Sequence, residues 1–89
     1  MDIRKVFGIN MRRLRLAAGL SQEAVAERMG VDRAHVSGME RGQQNVTLLT
    51  LWQAAQALGC RTVALVDETT IVSTELSAKK APRRRRTKA

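Results

Sequence analysis

The sequence predicts an all-α fold, a compact bundle of four to five short helices. Three observations predict it. Apolar residues return at three- and four-residue steps in four successive segments, each segment closes on a glycine, and polar capping residues open the second and third. A chain of 89 residues supports one small domain with an adequate but thin core, so stabilisation by a partner subunit is expected.

The first helix is expected over residues 3–18. Ile3, Phe7, Met11, Leu14 and Ala18 form its apolar stripe, opposite Arg4, Lys5, Arg12, Arg13 and Arg15, and Gly19 ends it. Ser21 is a good N-cap for a second, whose buried stripe is Val25, Ala26 and Met29 and which Gly30 terminates. Asp32 caps a third, with Val36 and Met39 inward and Gly42 closing it. A fourth runs from Thr47 to Leu58, with Leu48, Leu51, Ala54, Ala55 and Leu58 inside and Gly59 at its end. After Gly59 the run "CRTVALVDETTIV" is rich in β-branched residues, at 62, 63, 66, 69, 70, 71 and 72, which favours a strand; a short fifth helix over residues 62–66 is the alternative. Residues 1–60 are thus read as the main domain, 61–76 as a dimerisation segment and 77–89 as a basic tail.

The tail holds most of the charge. Seven of the sixteen basic residues lie among the last eleven positions, "KKAPRRRRTKA", where there is no acid; residues 1–78 carry nine basic against eight acidic side chains. With nothing large and apolar to bury, and adjacent like charges, the tail is expected to be disordered and to attract polyanions irrespective of sequence, or merely to solubilise. No stretch approaches the roughly 18 consecutive apolar residues of a membrane span, and the N-terminus lacks the apolar run of a signal peptide. A soluble, cytoplasmic protein without membrane association is expected. One cysteine and one histidine provide neither an internal disulfide nor a four-ligand zinc site, and no metal or cofactor is expected. There is no clustered nucleophile, acid–base pair or Gly-rich phosphate loop, so the chain does not read as an enzyme.

Two helices of about eight residues joined by a tight turn at "MGVD" match a helix-turn-helix unit, in which one helix braces and the next projects. The projecting helix fits the major groove of DNA, which is about as wide as a helix.

The run from residue 14 to residue 59, "LRLAAGLSQEAVAERMGVDRAHVSGMERGQQNVTLLTLWQAAQALG", resembles the Cro-type phage-repressor family, also called the xenobiotic-response-element family of transcriptional regulators. The pieces that carry the resemblance are "GLSQEAVAERMGV", "ERG", "NVTL" and "AQALG". It implies a repressor-like bundle of about five helices that binds double-stranded operator DNA as a homodimer, in a bacterium or encoded by a phage or plasmid, and associated with the nucleoid through its DNA.

The resemblance also implies a site. Gln22 corresponds to a glutamine that bonds a DNA phosphate beside the N-terminus of helix 2. Arg33, Ala34, Ser37 and Gly38 correspond to base-reading positions on the outward face of helix 3. His35 and Arg41 lie nearer the phosphates, and Gln43, Gln44 and Asn45 form a loop like the family's second backbone clamp. Arg15 and Glu40 match a structural pair tying helix 1 to the end of helix 3.

The chemistry of each residue type bears on those roles. Arginine is the side chain best matched to guanine O6 and N7, so Arg33 is the leading specificity residue, with a phosphate contact as the alternative. Gly38 departs from the long polar residue usual there and cannot read a base with a side chain. Asp32 is explained as a cap, or accepts from cytosine N4. His35 has no companion thiol or carboxylate for metal binding or catalysis. Cys60 is read as a packing thiol, the alternatives being redox sensing or an intersubunit disulfide. Trp52, beside the main stripe, packs under the C-terminal segment or faces a partner subunit.

The C-terminal run is similar to a branch of the family, including antitoxin repressors, in which a terminal strand pairs with its twin across the dimer axis and so satisfies its own edge. Two functions are therefore compatible with the sequence: a dimeric operator-binding regulator, or an antitoxin that neutralises a toxin protein and autoregulates its operon.

Overall fold

A computed structural model describes residues 2–71. Its elements in chain order are α1 (Ile3–Ala17), α2 (Gln22–Met29), α3 (Arg33–Glu40), α4 (Leu48–Leu58) and a 3-10 helix (Thr62–Val66); residues 68–71 are again helical. The expected tail, residues 77–89, lies outside the described residues, as does the end of the 61–76 segment. Among the described residues no helix is long and apolar enough to cross a membrane.

Local signals place the helix boundaries. The Ser21 hydroxyl accepts from Ala24 N–H at 3.0 Å and the Thr47 hydroxyl from Thr50 N–H at 3.1 Å, each satisfying an orphan donor of a first turn. Asp2, unremarked in the sequence, does the same for α1, accepting from Arg4 N–H at 2.8 Å. Asp32 occupies the N-cap position of α3, but its side chain makes no capping bond, contrary to expectation. At the far ends Gly19, Gly30, Gly42 and Gly59 all adopt φ between 69 and 75°, the left-handed conformation that lets a chain leave a helix.

The core gathers Phe7 and Met11 of α1, Val25 and Ala26 of α2, Val36 and Met39 of α3, Ala54, Ala55, Ala57 and Leu58 of α4, and Leu65 of the 3-10 helix. Leu14, Met29, Leu51 and Cys60 pack against it from partly buried positions. Three residues expected inside are outside: Ile3 and Ala18 at the two ends of α1, and Leu48, 84% exposed at the start of α4. Terminal residues of a stripe have no opposing element to cover them. Arg15, expected on the solvent side of α1, is buried.

The predicted strand is absent: no strand occurs among the described residues, and residues 62–66 form the short helical turn that was the alternative. Strand preference spans only about 1 kcal/mol per site. Burying Leu65, which is fully enclosed, is worth about 1.5–3 kcal/mol. The carbonyls of Leu65 and Asp67 are met by the Asn10 side-chain amide of α1, both at 3.2 Å. Packing and polar satisfaction together outweigh β-branching. Trp52, 53% exposed, borders a groove with Arg28 and Met29 of α2 and Gln56 and Ala57 of α4, so its neighbours are at the end of α2. Cys60 is half-buried, and burial pushes its thiol upward against the weaker opposing pull of Arg13, which favours an inert packing thiol.

Candidate nucleic-acid interface

The turn between α2 and α3 is three residues long. Gly30 N–H bonds the carbonyl of Glu27, and Val31 N–H reaches back to Ala26 at 2.9 Å, closing the last carbonyls of α2. Val31 turns inward against the core, and Asp32 begins the next helix. Val36 and Met39 are fully buried and turn one side of α3 into the core. Its opposite side exposes Arg33 and Ala34 and, a turn or two further on, the half-buried Ser37 and the exposed Arg41. These four positions fall on one helical stripe. His35 is half-buried to one side of it.

Two polar clusters mark the ends of that stripe. At the C-terminal end Arg41 donates through Nη1 to Ser37 Oγ, and through Nε and Nη2 to Gln43 Oε1 at 3.3 and 3.2 Å. At the N-terminal end Arg33 Nη1 donates to Gln22 Oε1 at 3.4 Å, and Gln22 Nε2 donates to Glu40 Oε1 at 3.1 Å. The amide of Gln22 is thus engaged within the protein, with one N–H hydrogen left over for a phosphate.

Behind the stripe, Arg15 and Glu40 form a two-point ion pair. Arg15 Nε donates to Glu40 Oε2 at 2.6 Å and Nη2 to Oε1 at 3.0 Å, while Nη1 takes the carbonyl of Leu20 at 2.9 Å. The side chains are only 8% and 3% exposed, and the hydrogen bond to Glu40 raises the Arg15 pKa above its already high ordinary value. Three bonds on one guanidinium tie α1, the α1–α2 turn and the end of α3 together.

Gly38 corrects the sequence reading. It is buried beneath the loop that follows α3, and a Cβ built on it would stand 2.9 Å from Gln44 Nε2. Gln44 lies across the helix where other residues would carry a side chain. The loop of Gln43, Gln44 and exposed Asn45 is thereby laid onto α3, helped by the bond from Gln43 N–H to the Gly38 carbonyl at 3.0 Å. Gly38 therefore seats the loop.

Two positions that frame the site went unnoticed in the sequence. A Cβ on Gly8 would meet the carbonyl oxygens of Met39 and Glu40 at 2.6 Å, so α1 crosses the end of α3 at a distance only glycine permits. Asn10 is fully buried, its Oδ1 accepting from Arg13 Nη2 at 3.2 Å while its amide holds the 3-10 helix. A glycine inside a helical pattern and an asparagine inside an apolar stripe were the available signals. Among the described residues, no three His, Cys, Asp or Glu side chains are grouped as metal ligands.

Comparison with known proteins agrees with this geometry. The family profile HTH_3, described as helix-turn-helix, matches residues 11–65. The chain is 48% identical over 69 residues to the uncharacterised HTH-type transcriptional regulator y4dJ of Sinorhizobium fredii, covering 78% of this chain and 90% of that protein. It is 37% identical over 75 residues to control protein C.BamHI of Bacillus amyloliquefaciens, covering 83% and 93% respectively. Among solved structures it is similar to the restriction-modification controller protein C.AhdI from Aeromonas hydrophila, with a TM-score of 0.67 and 45% identity over 70% of this chain and 94% of that one.

Proposed function

This chain belongs to the HTH_3 helix-turn-helix family, and on that premise we propose that it is a homodimeric, sequence-specific regulator that binds a two-fold-symmetric operator in the cytoplasm. The observation that carries the reading is the row Arg33, Ala34, Ser37 and Arg41, presented outward by a helix whose far end is locked by the Arg15–Glu40 pair. A rigid helix with short and forked polar side chains on one face suits readout of base edges in the major groove. Arg33 reads guanine; Gln22, His35, Arg41, Gln43, Gln44 and Asn45 contribute contacts to the flanking phosphates, which fix register without conveying sequence. The seven basic residues of the tail add attraction to phosphates that is independent of sequence. With no strand among the described residues, the exposed apolar residues Leu48, Leu49 and Trp52, within about one turn of α4, are the better support for self-association. The relatives named above are described as a regulator and controllers, and no observation favours the toxin-neutralising alternative.

Selection of bound DNA from a random pool, followed by footprinting, tests the reading. The expected result is a palindromic site whose half-sites are about 34 Å apart, one helical turn. On that site Arg33→Ala should cost about 1–3 kcal/mol and flatten the preference at one base pair per half-site. A pool that enriches only an asymmetric single half-site would refute the dimeric reading.

A further inference from the structure

Resting on the reading of α3 as the helix that enters the groove, we propose that Lys5 and Arg12 extend the contact with the DNA backbone from the end of α3 along α1, taking phosphates next to those reached by Arg41 and residues 43–45. Helix periodicity sets Lys5, Gly8, Arg12 and Arg15 along one side of α1. Gly8 and Arg15 fix where that side lies: Gly8 stands against the carbonyls of Met39 and Glu40, and Arg15 reaches the Glu40 carboxylate. Lys5 and Arg12 therefore border the C-terminal end of α3, one about a turn before the crossing and the other a turn after it. Gly42, the turn residue after α3, places Lys5 further, since a Cβ built on it would stand 3.0 Å from the Lys5 Cα and Cγ. The lysine thus lies beside the turn that leads from Arg41 to Gln43, whose side chains are bonded together on the surface.

Charge supplies the second half of the argument. Lys5 and Arg12 are both exposed, and among the described residues neither side chain has a hydrogen bond or an ion pair. The two carboxylates on this side are already neutralised: Asp2 holds Arg4 at 2.6 Å, with Lys5 only the smallest influence on it, and Glu40 is buried against Arg15. Exposed carboxylates gather instead at the other end of α3, where Glu23, Glu27 and Asp32 share a surface with Arg33. Lys5, Arg12 and Arg41 are thus three cations around one end of the helix, beside carboxylates that have no charge left to offer them. Gathering like charges is unfavourable in the free protein, and a row of phosphates offsets it while releasing the counterions condensed on the DNA. The negative C-terminal end of α3 favours Lys5 nearby but leaves Arg12, two turns further along α1, without a role. Because both cations lie outside the outward row of α3, they contribute affinity and register and no base preference.

The test follows the full-length chain, as wild type, Lys5→Gln, Arg12→Gln and the double variant, on the selected operator and on random DNA across a salt series. Glutamine keeps a long polar side chain and removes the charge; circular dichroism at the assay temperature shows that each variant is folded. For each bound subunit, a single variant should make the slope of log K against log salt shallower by about 0.9, and the double variant by about 1.8, on both DNAs and with base preferences unchanged. In ethylation interference, some phosphates whose modification weakens wild type should cease to matter in the double variant. A folded double variant with the wild-type slope would overturn the proposal and leave the two cations as solvated surface. A loss confined to the operator, with altered base preference, would also overturn it, by showing that α3 had shifted. If wild type prefers no sequence, the operator reading fails instead, and the slope on random DNA still decides whether α1 touches the backbone.

Discussion

Helix α1 is fastened at two places, and the two fastenings differ in kind. Toward α3 the contact is close and charged: Gly8 admits the carbonyls of Met39 and Glu40, and Arg15 spans the gap to Glu40 in a shielded two-point pair. Toward the C-terminal 3-10 helix the contact is neutral: the Asn10 amide reaches the carbonyls of Leu65 and Asp67, beside the buried side chain of Leu65. The first fastening holds the recognition unit, and losing either partner strands a charge. The second holds a peripheral turn, and losing it leaves two carbonyls short of a donor. The orientation of α3 therefore rests on the costlier interaction to break.

The sharpest way to break this contrast is Glu40→Ala. It leaves the Arg15 guanidinium enclosed without its partner and should cost about 3–5 kcal/mol, a large part of the stability of so small a domain. Urea unfolding of the whole domain would show it. A cost below about 1 kcal/mol would place the pair with ordinary surface ion pairs. Gly8→Val should come next, at about 2–3 kcal/mol, because the new side chain meets backbone atoms that cannot rotate aside and α1 must move off α3. Reduced operator affinity beyond that expected from unfolding would show that α3 had been displaced.

Asn10→Ala should cost less, about 1–2 kcal/mol, by removing donors from two carbonyls. Hydrogen exchange is the discriminating measurement: faster exchange confined to residues 62–67 fits a peripheral fastening, whereas equal acceleration through α2 and α3 would erase the distinction between the two. The smallest effect belongs to the exposed start of α1, which neither fastening holds. There the bond from the Arg4 side chain lowers the Asp2 carboxylate from 3.8 to about 2. A carboxylate whose pKa is depressed by folding stabilises the folded state above its unfolded pKa and loses that contribution as pH falls through its folded value. Wild type and Asp2→Ala should thus differ slightly above about pH 4 and converge near pH 2 in acid unfolding followed by circular dichroism.

The sequence by itself determined the four main helices and where they stop. Apolar spacing, a hydroxyl such as Ser21 one residue ahead of a stripe, and glycine one residue behind are signals read within a few residues, and the energies they control are local. The outward row of α3 was legible for the same reason, since Val36 and Met39 fix which face is buried and leave the remainder to solvent. Tertiary structure decided the rest. The β-branched run at 62–66 became a helical turn because Leu65 had a core to enter and Asn10 a pair of carbonyls to meet, partners more than fifty residues away in sequence. Gly38 was covered because Gln44 folds back over it, and Gly8 was required because α3 passes within contact of its backbone. Such outcomes depend on which surfaces meet in space, and the free energy of that meeting exceeds the roughly 1 kcal/mol preferences a residue type expresses on its own.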